Sequence, residues 1–145
     1  MNKSGRVPES LRKLAAERAA NCCEYCLSQQ RFAPDPFCAE HIVPRALSGP
    51  TNSENLAWSC LGCNSLKHTH ISGVDPGTGH EVALFHPRQD QWTSHFVWDA
   101  EYVRVIGVTP KGRATVHALQ LNREPLLNLR RILRAADLHP PSHVR

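Results

Sequence analysis

Two cysteine pairs, Cys23-Glu-Tyr-Cys26 and Cys60-Leu-Gly-Cys63, carry the C-x-x-C spacing that turns two sulfurs toward one ion. Two such knuckles complete a tetrahedral site of four thiolates, and soft ligands with no redox demand favour zinc. The competing reading is two buried or redox-active thiol pairs. The stretch from Cys26 to Cys60 is longer than a compact zinc ribbon needs, so a sizeable insertion lies between the knuckles. Inside it sit Glu40-His41 and Asn55, and Asn64 directly follows the second knuckle. Taken singly, each has an ordinary explanation: a strand histidine, a turn former, a helix cap. Cys22 and Cys38 break the knuckle spacing and read as buried apolar thiols.

Several elements have to position these residues. Leu11, Leu14, Ala15, Ala19 and Cys22 recur at helical spacing, which predicts a helix over 10–22 delivering the chain to the first knuckle. Residues 29–36, with two prolines, read as a loop. A short strand is expected over Phe37 to Val43, stopped by Pro44, and a second over Leu56 to Ser59. The loop SGPTNSENL joins them, and a short helix is expected over Asn64 to His70. The local order is strand, loop, strand, helix. Farther on, VDPGTGH is rich in turn residues. Leu84-Phe85, His95 to Trp98 and Tyr102 to Val108 read as strand pieces. At Thr109-Pro110 a hairpin competes with a helix capped by Thr109. The spacing of Ala114, Ala118 and Leu121 favours the helix. Asn122 then reads as the cap of a last helix running to about Leu138.

With 145 residues, 41% hydrophobic and 21% charged, the chain has the make-up of one modest globular domain. No apolar run approaches the ~18–20 residues needed to span a bilayer. The segment MNKSGRVPES lacks the apolar stretch of a secretory signal, so a cytoplasmic protein with reduced cysteines and no membrane association is expected. The formal charge of +4 falls to about +2 if four thiolates hold one zinc ion. Its distribution says more than its size. Lys111, Arg113, Arg123, Arg130, Arg131 and Arg134 face the single acid Glu124 between positions 111 and 134. Such a cluster suits a phosphate backbone, or simply a solvated helix face.

The run from Cys23 to Lys67 resembles the HNH endonucleases, members of the ββα-metal (His-Me finger) group. CEYC, EHIVPR, SGPTNSENL and CLGCNSLK carry the resemblance, with His41 14 residues before Asn55 and 23 before Asn64. DPGTG, LFHPR, WTSHFVW and IGVTPKGRATVHALQLN are similar to the C-terminal half of a bacterial HNH subgroup, extending the likeness over about residues 18–134. The resemblance implies an α+β protein: a small zinc-stapled, treble-clef-like ββα core over about 10–72, an N-terminal helix, and a mixed β/helical C-terminal extension over about 73–138. The whole is taken as one domain.

By that resemblance His41 is the general base of phosphodiester hydrolysis. Glu40 and Asn64 hold one divalent cation, Mg²⁺ or Mn²⁺, and Cys23, Cys26, Cys60 and Cys63 hold a structural Zn²⁺. Asn55 orients His41 through the loop between the strands. Neighbours on an ideal strand point to opposite sides, so Glu40 and His41 reach one site only if the strand bends. Arg45, Lys67 and the helix cluster Arg130, Arg131 and Arg134 are candidate phosphate contacts. His68 shares a helix face with Asn64 but departs from the subgroup, which usually has a small residue there. His86, Arg88 and His95 are open between packing and DNA contact. The expected partner is double-stranded DNA, with a homodimer needed if both strands are cut at once. The rivals are a non-catalytic zinc-stapled nucleic-acid-binding module and an HNH enzyme acting on RNA or modified DNA.

Overall fold

A computed structural model describes residues 6–144. Its elements are short and mixed, an α+β architecture, and each hairpin forms its own two-stranded antiparallel sheet. Among the described residues no helix is long and apolar enough to cross a membrane.

The first helix, α1 (Glu9–Arg18), stops sooner than its periodicity suggests. Ala20 and Asn21 take left-handed φ values of 53° and 58°, which turn the chain into the first knuckle. Ala15 and Ala19 are buried, but Leu14 of the predicted stripe is exposed. Strands β1 (Cys38–His41) and β2 (Leu56–Ser59) pair with Glu40 opposite Ala57 and His41 opposite Leu56. Helix α2 (Leu61–Lys67) follows at once. It begins inside the second knuckle, not after it, because Cys60 Sγ takes the place of a polar N-cap and accepts from Cys63 N at 3.4 Å. Asn64 therefore sits in the body of the helix.

The rest of the chain covers this ββα unit. Strands β3 (Ser72–Val74) and β4 (Glu81–Ala83) form one hairpin, so Leu84 and Phe85, predicted as a strand piece, fall just beyond the end of β4. The short helix α3 (Trp92–His95) leads into β5 (Phe96–Trp98), which pairs with β6 (Val105–Gly107). Helix α4 (Pro110–Ala118) settles the competition at Thr109: its hydroxyl accepts from Gly112 N at 3.0 Å, with Pro110 in the first turn.

Helix α5 (Glu124–Ala135) starts after Arg123 and ends before Leu138. Asn122 does not cap it. Its amide instead completes the edge of β6, accepting from Val105 N at 2.7 Å and donating to Val105 O at 2.9 Å. The core runs from Ala15 and the cysteine knuckles through Trp58, Phe85, Trp92 and Phe96 to Leu119, Leu121 and Leu126.

Candidate active site and metal centre

The two knuckles meet. The sulfurs of Cys23, Cys26, Cys60 and Cys63 all lie within 4.8 Å of one another, and Cys26 Sγ is 3.8 Å from Cys60 Sγ. A tetrahedron with bonds of ~2.3 Å has edges of ~3.8 Å, so the set fits one zinc ion. All four side chains are buried, and Cys26 N donates toward Cys23 Sγ as Cys63 N does toward Cys60 Sγ. Four thiolates this close cannot all ionise without a cation; burial and neighbouring sulfurs together push the Cys23 thiol well up.

Cys22 is buried, whereas Cys38 is half-buried and borders the groove described below. Burial first, then neighbouring negative groups, raises both thiols to about 11. Both therefore favour the thiol over the thiolate at neutral pH.

Beside the zinc-type centre, a groove opens where β1 meets α2, bordered by Glu40, His41, Arg45, Asn64, His68 and Thr69 among others. β1 keeps regular pairing through His41, so the two neighbours do diverge. His41 turns to the loop, its Nε2 2.8 Å from Thr51 Oγ1. Partial burial, with Arg45 and Lys67 adding positive charge, lowers its pKa from the usual imidazole value. The shift favours the neutral imidazole.

Glu40 turns inward and is only 6% exposed. Tyr25 donates its hydroxyl to Oε1, and Lys67 Nζ lies 3.3 Å from Oε2. Burial pushes the carboxyl up, against the opposing pull of Lys67 and Tyr25.

Asn55 bridges the loop that carries His41. Its Oδ1 accepts from Val43 N at 2.9 Å, and its Nδ2 donates to Val43 O at 3.0 Å and Pro50 O at 2.8 Å. The loop closes so tightly here that a Cβ at Gly49 would stand 1.7 Å from Val43 O. Only glycine fits.

Two predicted phosphate contacts are corrected. Lys67 is 1% exposed, and its ammonium donates to Ile42 O at 2.7 Å and to His41 O at 3.4 Å besides facing Glu40. Arg130 is 3% exposed, donating to Val103 O at 2.9 Å and Leu121 O at 2.7 Å, with its guanidinium over the Trp98 ring. Both cations meet backbone carbonyls left over at element ends, and neither reaches solvent. Arg45, Arg131, Arg134 and His68 are exposed; Arg134 lies over the Tyr102 ring and Arg131 bonds Asn128.

The residues left open between packing and DNA contact make intramolecular contacts. His86 Nδ1 accepts from Arg88 N and Gln89 N, and Arg88 pairs with Glu24 of the first knuckle. His95 Nδ1 lies 2.7 Å from Thr109 Oγ1.

Sequence reasoning missed Tyr25, Thr51 and Arg123. Tyr25 stands in the knuckle motif itself, and its hydroxyl was the available signal.

Residues 23–70 match the HNH endonuclease family. The matched HNH segment takes in both knuckles, β1, β2 and α2, so it contains the four cysteines and the groove. No curated protein and no solved structure matches the chain. HNH-type nuclease function is thereby supported in general terms. The groove's oxygen donors suit a hard divalent cation. Asn64 offers an amide oxygen, and each Glu40 oxygen keeps a lone pair beyond the one bonded by Tyr25 or Lys67.

Proposed function

We propose that this protein is a metal-dependent endonuclease that hydrolyses phosphodiester bonds of DNA, with His41 as general base. The observation that carries the reading is the groove itself. The His41 imidazole and the amide of Asn64 border one open cleft, and the loop presenting the imidazole is pinned by Asn55. Thr51 orients the ring through Nε2, and the ring takes the proton from an attacking water. A divalent cation, Mg²⁺ or Mn²⁺, held by Asn64 with Glu40, supplies charge stabilisation at the departing oxygen when bound. Tyr25 and Lys67 fix the Glu40 carboxylate from behind. Arg45 lies at the rim, where an incoming phosphate meets a solvated cation. Four cysteines hold the structural zinc ion that keeps α2 against the hairpin.

The test is incubation of the zinc-loaded protein with supercoiled plasmid, and separately with RNA, in Mg²⁺ or Mn²⁺. The reading expects nicked circles bearing 5′-phosphate and 3′-hydroxyl ends. One observation favours a second reading, a non-catalytic nucleic-acid binder: both Glu40 oxygens are already engaged. DNA bound but uncut in either cation would install that reading instead. Cleavage of RNA alone would reassign the substrate.

A further inference from the structure

The Arg123 guanidinium is half-buried and lies against the cysteine centre. Its Nη2 points at Cys60 Sγ at 3.7 Å and Cys63 Sγ at 3.6 Å, and its Nη1 reaches Cys63 Sγ at 3.7 Å. The other side of the fork is tied down, Nη1 donating to Leu119 O at 3.0 Å and Gln120 O at 3.3 Å. The second knuckle leaves room for it. A Cβ on Gly62 would stand 2.6 Å from Nη2 and 3.2 Å from Cζ. Gly62 lies within α2, where glycine weakens a helix, so its absence of side chain has a use here. Arg123 belongs to the junction of α4 and α5, 60 residues beyond Cys63.

We propose that Arg123 is the outer partner of the zinc centre, acting through Cys60 and Cys63, and that it ties metal retention to docking of the α4–α5 junction. The physical need is plain. Four thiolates around one Zn²⁺ leave a net charge of about −2 in a buried site, and a fixed cation with N–H groups on two of the sulfurs offsets it. Outer partners of this kind also hold the ligand atoms in place before the metal arrives. The arginine fork suits the task because it spans two sulfurs while its remaining donor serves backbone carbonyls. This inference stands apart from the nuclease reading, since it concerns only the metal and the chain that holds it.

The test is competition for zinc between the full-length protein and a chromogenic chelator, with the fold followed by circular dichroism. Arg123→Gln should raise the zinc dissociation constant about 10–100-fold. Arg131→Gln removes the same charge from an exposed position and should bind zinc as the wild type does. Gly62→Ala keeps every charge, makes α2 a better helix, and displaces the guanidinium, so it should weaken zinc binding in spite of its helix propensity. Should Arg123→Gln fail to fold with zinc, Gly62→Ala decides the matter alone. Wild-type zinc affinity in a folded Arg123→Gln protein would overturn the proposal. So would equal losses in Arg123→Gln and Arg131→Gln, unchanged affinity in Gly62→Ala, or a wild-type protein that holds no stoichiometric zinc.

Discussion

Lys67 Nζ and Glu40 Oε2 lie 3.3 Å apart between α2 and β1, with side chains 1% and 5% exposed. The pair joins the helix that carries Asn64 to the strand that carries His41. Its charges are out of water, so its worth lies in pairing: the carbonyls of His41 and Ile42 take the other two protons of the ammonium, and Tyr25 donates to the second Glu40 oxygen.

Breaking one half should therefore be costly. Lys67→Met leaves the buried Glu40 charge without its cation, with Oε2 and two carbonyls lacking a donor, and should destabilise the zinc-loaded protein by about 3–5 kcal/mol. The shift of the urea unfolding midpoint measures it. A loss below about 1 kcal/mol would mean that water reaches the pair.

On the proposed function, the same burial should separate Lys67 from Arg45 in DNA binding. Arg45→Ala should lower the slope of log affinity against log salt by about 0.9, since one exposed phosphate contact is lost. Lys67→Met, where folded, should leave that slope unchanged. A reduced slope in Lys67→Met would place its ammonium at the interface after all.

These two lysine and arginine side chains mark where the sequence stops being readable. The knuckles were legible because C-x-x-C spacing dictates geometry locally, and Thr109-Pro110 because a cap and a first-turn proline act within one turn. The hairpin and following helix were legible for similar reasons. Inward-facing cations were not. Whether Lys67, Arg123 or Arg130 meets phosphate, a thiolate or a carbonyl depends on partners 25 to 60 residues away. Asn122 misled for the same reason, since a residue fit to cap a helix serves equally well to finish a strand edge 17 residues distant. Glu40-His41 shows the mixed case: alternation correctly separates the two side chains, but the buried partner of Glu40 comes from another element.

Asn55→Ala removes three hydrogen bonds that close the loop on Val43 and Pro50, and should destabilise by about 1–3 kcal/mol. It should also lower the turnover number more than it changes the Michaelis constant, because the loop places His41 without touching substrate. An unchanged turnover number would detach the loop from catalysis.

Acid stability should carry a mark of Asp75. Arg113 bonds both of its oxygens at 2.9 Å, and that bonding, outweighing desolvation with help from Gly77 N and Thr78, holds the carboxyl well below the usual carboxylate range. A depressed folded value stabilises at pH above the unfolded value of about 3.9 and loses that contribution as pH falls through the folded value. The stability gap between wild type and Asp75→Asn should therefore be constant near neutrality and shrink below about pH 4. An undiminished gap at pH 2 would assign the effect to packing.

The two metals should part company. Stripping zinc should loosen or unfold the protein, because the knuckles close the long loop between Cys26 and Cys60. Withholding Mg²⁺ or Mn²⁺ should leave the circular dichroism spectrum intact and abolish cleavage. Equal damage to the fold from both treatments would contradict the division of labour.

The central claim is that His41, at the edge of the groove beside Asn64, is the base of a nuclease. The direct measurement is nicking of supercoiled plasmid in Mg²⁺ by wild type and by His41→Ala prepared identically, with zinc content and DNA affinity checked in both. The account predicts nicked product from the wild type and none from the mutant, at equal zinc and equal binding. Equal nicking by the two proteins would contradict it.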